Sequence, residues 1–178
     1  MAKAIVWTPP PHFRSLLHGL GQDLLALDDR LCEMVKTIKR IARGNEDCVR
    51  LEQLRGIGPM TSTAMVATVG NARQYHKGRQ MAAGIGITPR QHSSGDKHRL
   101  LGISKRGDVY LRTLLIHGAR SVVTGAKHKD DPLSRWVTEI AKRRHPNVAA
   151  VALANKNARM AWAMLRHKTA YDPDFAIS

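Results

Sequence analysis

Apolar positions in the first quarter of the chain repeat at helical spacing. Leu24, Leu27, Leu31, Met34, Ile38 and Ile41 follow one another at intervals of three, four, three, four and three residues. This is the seam of a heptad helix, with polar residues on its other faces. Asp28 and Asp29 come early and Lys36, Lys39 and Arg40 late, which suits the helix dipole. Gly44-Asn45 ends the pattern. The spacing predicts a helix over 22–43, either packed on its own domain or paired with a second copy. Residues 1–21, with Pro9-Pro10-Pro11 and scattered apolar positions, show no clear period. From residue 46 the apolar groups are short and punctuated by glycine, predicting helices at 47–54, 60–68, 78–84, 107–124, 132–143 and 147–166. Ile85-Gly86-Ile87-Thr88 is the one short strand candidate. The chain therefore reads as mainly α: an N-terminal segment 1–21, a heptad linker helix 22–44, a helical domain 45–172 and a tail 173–178.

Charge changes this picture. Lys and Arg number 29 against 14 Asp and Glu, a net charge of +15 with neutral His. Between Arg50 and Lys129 there are 14 Lys or Arg and only three acids, Glu52, Asp96 and Asp108. The surplus favours a polyanionic partner, nucleic acid first, concentrated in the middle of the chain. Aromatic residues make up 4% of the sequence, which disfavours base stacking on single strands as the main mode of contact. Cys32 and Cys48 form no zinc-like spacing. No apolar run approaches the roughly 18 residues of a membrane span, and the opening residues do not read as a secretory signal. The expectation is a reduced cytoplasmic protein associated with the nucleoid.

Two stretches carry candidate chemistry. Leu54-Arg55-Gly56-Ile57-Gly58-Pro59-Met60-Thr61-Ser62-Thr63-Ala64 has helix-hairpin-helix form. Gly56 and Gly58 permit a tight turn, Pro59 suits a first helical turn, and the free amides near Thr61 suit a phosphate oxygen. The alternative is a helical corner that merely packs. The second stretch, 88–107, is polar, basic and glycine-containing. It reads as a long loop that places Ser93, Ser94 and Gly95 near Arg90, Lys97, Arg99, Lys105 and Arg106. Guanidinium and ammonium groups neutralise phosphate and stabilise charge that builds on phosphorus-bound oxygens. A serine hydroxyl beside them becomes a candidate nucleophile, with His92 or His98 as proton acceptor. The alternative is phosphate binding without covalent chemistry. Downstream, Arg112 and Arg120 lie eight residues apart on one predicted helix, and Asn155 and Lys156 interrupt an alanine-rich one.

These motifs occur in a familiar order. The 54–64 hairpin is followed by Arg79-Gln80-Met81-Ala82-Ala83, Gly86-Ile87-Thr88-Pro89-Arg90-Gln91, Ser93-Ser94-Gly95, Gly102 to Asp108, and Tyr110-Leu111-Arg112. Ala152 to Arg159 and Ala161-Trp162-Ala163 come last. Over residues 22–172 the chain resembles the carboxy-terminal domain of the insertion-sequence-one-hundred-ten family of transposases. The resemblance implies serine-dependent strand cleavage and rejoining of double-stranded DNA, in some members directed by an element-encoded guide RNA. It maps the nucleophile to Ser94, with Ser93 as the alternative. The implied DNA-binding residues are Gly56, Gly58, Thr61, Arg90, Lys97, Arg99, Lys105, Arg106 and Arg112. It also implies an amino-terminal RNase H-like domain holding divalent metal and joined through a coiled coil. Only 21 residues precede the heptad helix, so the sequence reads as truncated, with no metal or other cofactor in this chain. The expected self-association runs through residues 22–43. Asp96 and Leu101 stand where the family shows glycine, and Gly84 where it often shows a bulky residue.

Overall fold

A computed structural model describes residues 10–92 and 100–172. The chain divides into two compact units, Met1–Ile38 and Lys39–Ser178. The described structure is mainly helical.

Helix α1 spans Pro11–Arg43. It begins eleven residues before the predicted start, because Pro11 fits a helical first position and Leu17 and Leu20 continue the same three-four spacing. Gly44 follows it, and Asn45 turns the chain into α2 (Glu46–Leu51), its Oδ1 accepting hydrogen bonds from the amides of Asp47 at 2.9 Å and Cys48 at 3.2 Å. Helix α3 (Pro59–Val69) starts with proline after Gly58, and α4 (Gly78–Ile85) ends at the left-handed Gly86.

The next stretch corrects the predicted loop. The strand is not 85–88 but β1 (Pro89–Gln91), antiparallel to β2 (Leu100–Ile103). Pro89 pairs with Ile103 and Gln91 with Leu100, so β2 carries one extra residue between the two pairs. Thr88 and Ser104 extend the ribbon through a 2.8 Å backbone bond, and Lys105 donates to the Gly86 carbonyl at 3.1 Å. A three-residue and a four-residue strand lie below what a period-two pattern reveals in sequence.

Helices α5 (Val109–Ala126), α6 (Pro132–Arg143) and α7 (Pro146–His167) complete the second unit. Helix α7 packs against α5, α4, α6 and α2. Its buried Ala149, Ala150, Ala154, Ala158 and Ala161 let neighbouring backbones come close, while Leu153, Met164 and Leu165 supply bulk. Leu51, Leu54, Met65, Met81, Leu111 and Leu115 meet them in the core, and each fully buried leucine contributes about 2 kcal/mol.

Candidate nucleic-acid interface

The turn between α2 and α3 is held from three sides. At Gly56, where φ is +91°, a side chain would lie 2.9 Å from the backbone of Gly118 on α5; a Cβ on Gly118 would lie 1.8 Å from the Gly56 carbonyl oxygen. Asn157 on α7, fully buried, donates to the Arg55 carbonyl at 2.9 Å. The Arg55 guanidinium bonds both carboxylate oxygens of Asp131 at 2.7 Å and the Ser134 hydroxyl at 3.1 Å. Partial burial pushes the Asp131 carboxyl up, but the Ser134 hydroxyl and amide and the Arg55 charge outweigh it and hold its pKa at about 2. Gly56 is thus spent on close packing. Gly58 has open space where a side chain would stand. The Thr61 side chain is buried, so only its backbone remains to offer. No hydrogen-bond partner is present among the described residues for the Met60 and Thr61 amides.

The β-ribbon is rooted on α4 by two glycines. A side chain at Gly86 would sit 1.9 Å from the Arg106 carbonyl oxygen, and one at Gly107 would sit 1.8 Å from that of Gly84. Asp108 then caps α5, its carboxylate accepting from the Leu111 amide at 2.9 Å. Around this root Arg90, Lys105 and Arg106 are exposed. Lys105 has φ of +57°, a left-handed conformation that costs a side-chain-bearing residue about 1 kcal/mol. Ser93, Ser94, Lys97 and Arg99 lie outside the described residues. They join β1 to β2 in sequence.

Two sequence motifs far apart along the chain are neighbours here. The Tyr110 hydroxyl, one turn beyond Arg106, lies 3.6 Å from the Met60 sulfur at the start of α3. The start of α3 and the root of the ribbon therefore share one side of the second unit. The open space at Gly84 is filled by the Tyr75 ring, whose hydroxyl lies 3.1 Å from where a Cβ would stand.

Arg112 is placed differently from its neighbours. It is buried, and its guanidinium donates to the carbonyl of Ile85, the last residue of α4, at 3.0 Å. A cation at a helix C-terminus satisfies an orphan carbonyl and opposes the negative end of the dipole. Arg112 and Arg120 do not share a surface, since Arg120 is exposed.

Sequence reading missed a further group of cations. Gly78 packs so closely on α7 that a side chain there would lie 3.0 Å from the Arg159 carbonyl oxygen. Lys77 and Arg79, both exposed, thus flank the exposed Arg159. Lys156 sits 5.0 Å from the centre of the Trp136 ring; burial, and secondarily the Arg159 charge, hold its ammonium below the ordinary lysine range. No salt bridge is present for these four among the described residues. The glycine at 78 was the available signal. Asn155 approaches the Ile87 carbonyl at 3.5 Å, at the edge of hydrogen bonding.

Among the described residues no three His, Cys, Asp or Glu side chains gather to hold a metal, so no donor set there fits the divalent ion. Nor is any described helix long and apolar enough to cross a membrane.

The class these features define is a small helical domain with a short basic β-ribbon. Residues 48–132, from α2 through the ribbon and α5 to the start of α6, match the model of the "Transposase IS116/IS110/IS902 family", which supports a transposase domain of that kind over those residues. Three relatives extend the similarity. The chain is 49% identical to a "Probable family 20 transposase" of Pseudomonas aeruginosa over 164 residues, covering 92% of this chain and 48% of the relative. It is 46% identical to the "Transposase for insertion sequence element IS1111A" of Coxiella burnetii, covering 90% and 44%. To the "Transposase for insertion sequence element IS1328" of Yersinia enterocolitica it is 36% identical, covering 91% and 48%. The chain spans about half the length of these curated relatives.

Proposed function

We propose that this chain is the DNA-binding and serine-bearing part of an insertion-sequence transposase that cleaves and rejoins DNA strands. One observation carries the reading. The family match includes the whole ribbon and the Ser-Ser-Gly segment joining its strands, and the root of that ribbon exposes Arg90, Lys105 and Arg106.

Phosphate binding comes first. The α2–turn–α3 corner acts as a helix-hairpin-helix, its unpaired Met60 and Thr61 amides meeting a backbone phosphate beside Gly58. Arg90, Lys97, Arg99, Lys105 and Arg106 neutralise phosphates along the ribbon. The Ser94 Oγ then attacks phosphorus. A phosphorus–oxygen bond to the DNA sugar breaks, a phosphoserine ester forms, and the departing sugar oxygen takes up a proton. His92 or His98 accepts the serine proton. Attack by a DNA hydroxyl on the phosphoserine reverses the exchange and rejoins a strand, so no nucleotide is consumed.

In this reading residues 22–44 are a self-associating linker and 45–172 the DNA-binding domain. The amino-terminal RNase H-like half supplies the metal chemistry, and an element-encoded RNA selects the sites. The reaction takes place in the cytoplasm, at the nucleoid.

The test is a covalent protein–DNA adduct, sought by denaturing electrophoresis with the amino-terminal half supplied. Ser94→Ala removes the adduct and leaves DNA affinity within about 1 kcal/mol, because a neutral hydroxyl contributes about one hydrogen bond. An adduct lost only in Ser93→Ala moves the nucleophile by one residue. An adduct surviving both changes, or DNA binding without any adduct, removes serine catalysis.

A further inference from the structure

The cations at the crossing of α4 and α7 belong to a longer seam. The chain from Tyr75 to Ile87 runs alongside α7 in the opposite direction, and three contacts fix the alignment. The Trp162 indole N–H donates to the Tyr75 carbonyl at 3.0 Å. A Cβ on Gly78 would lie 3.1 Å from the Arg159 Cα. Asn155 approaches the Ile87 carbonyl at 3.5 Å. Ile87 stands just before β1, so the seam starts at the ribbon root and continues away from it. On α7, Lys156, Arg159 and Arg166 follow at intervals of three and seven residues, which places them on one helical face. Arg159 and Arg166 are exposed and Lys156 is half-buried, while the exposed Lys77 and Arg79 border that face at Gly78.

Nothing acidic opposes these cations from either side of the seam. No Asp or Glu occurs between Glu52 and Asp96, or between Glu139 and Asp172. Glu139 on α6, which packs against α7, is bonded to Lys142 at 2.8 Å. Among the described residues no salt bridge involves any of the five cations. Lys156 is also held in place, its ammonium 5.0 Å from the centre of the Trp136 ring. Burial and then the Arg159 charge disfavour its charged form. An anion bound between them would relieve that repulsion.

We propose that this seam is a second phosphate-binding face, which takes the sugar–phosphate backbone of a nucleic acid along Lys77, Arg79, Lys156, Arg159 and Arg166. This rests on the nucleic-acid reading above and adds a face outside the ribbon. A polymer fits better than a small phosphate compound because the cations are strung out. Lys156 and Arg166 are separated by about 15 Å of helix axis. A duplex presents one phosphate per roughly 3.4 Å of each strand, so several fall within that length. Such contacts hold the backbone and read no base sequence.

The experiment measures binding of the full chain to a mixed-sequence DNA duplex, and to the RNA duplex of the same sequence, at several salt concentrations. Arg79→Gln with Arg159→Gln makes the slope of log K against log salt shallower by about 2. Lys127→Gln with Lys129→Gln removes the same charge at the end of α5 far from the ribbon and leaves the slope unchanged. A shallower slope with one duplex alone names that duplex as the source of the phosphates. Lysine acylation gives a second readout that needs no variant. Bound duplex protects Lys77 and Lys156, while Lys127 and Lys129 react as they do in the free chain. A steep parent slope that the Arg79 and Arg159 changes leave intact overturns the proposal and spares the ribbon reading, as does full reactivity of Lys77 and Lys156 in the complex. An equal effect of the Lys127 and Lys129 changes also overturns it, because charge at any position would then serve. A parent slope near zero removes the nucleic-acid reading, and the seam with it.

Discussion

Among individual side chains, Arg112 is held inside the fold while Arg90, Lys105 and Arg106 are exposed. The Arg112 guanidinium is committed to the Ile85 carbonyl at the end of α4. Arg112→Met leaves that carbonyl unpaired and is expected to cost about 2–3 kcal/mol in urea unfolding, while the salt dependence of DNA binding stays unchanged. A reduced salt slope with unchanged stability would reverse the assignment. Gly118→Ala is a second test. Its Cβ would stand 1.8 Å from the Gly56 carbonyl oxygen, so a loss of roughly 3 kcal/mol is expected from overpacking; a loss below 1 kcal/mol means the turn yields freely. Asp131 gives the pH signature. Its carboxyl is held at about 2 by Ser134 and Arg55, below the ordinary 3.8. The unfolded chain takes up that proton first as pH falls, so the contribution is complete above 3.8 and is lost as pH drops through 2. The stability gap between the parent and Asp131→Asn should therefore be widest near neutral pH and close under strong acid. A gap that widens with acid contradicts this.

At the level of elements, much was legible because helices announce themselves. The predicted 132–143 coincides with α6, 78–84 stops one residue short of the end of α4, and 147–166 falls one residue short of α7 at each end. The start of α1 was hidden by Pro9-Pro10-Pro11, since proline reads as a breaker yet also suits a first turn. The ribbon was hidden for a different reason: its strands are too short to alternate, and its anchorage is close backbone contact at Gly86 and Gly107, which leaves only glycines in sequence. Asn157 escaped notice beside Asn155 and Lys156, because nothing local distinguishes the amide that reaches the Arg55 carbonyl. The cations at the crossing of α4 and α7 escaped for the same reason. Lys77 and Arg79 lie roughly eighty residues before Arg159 in sequence, and only the packing of Gly78 on α7 brings them together.

On the scale of the whole molecule, the net charge of +15 belongs to the chain in general, whereas Arg90, Lys105 and Arg106 stand exposed together on the surface around one ribbon root. The central claim is that this surface neutralises DNA phosphates. The most direct measurement is the duplex-DNA dissociation constant of the full chain at several salt concentrations. If about six phosphates are neutralised, log K should fall against log salt with a slope of about −5, whatever the DNA sequence; Lys105→Gln with Arg106→Gln should make it shallower by about 2. A parent slope near zero, or a double variant with the parent's slope, would contradict the account.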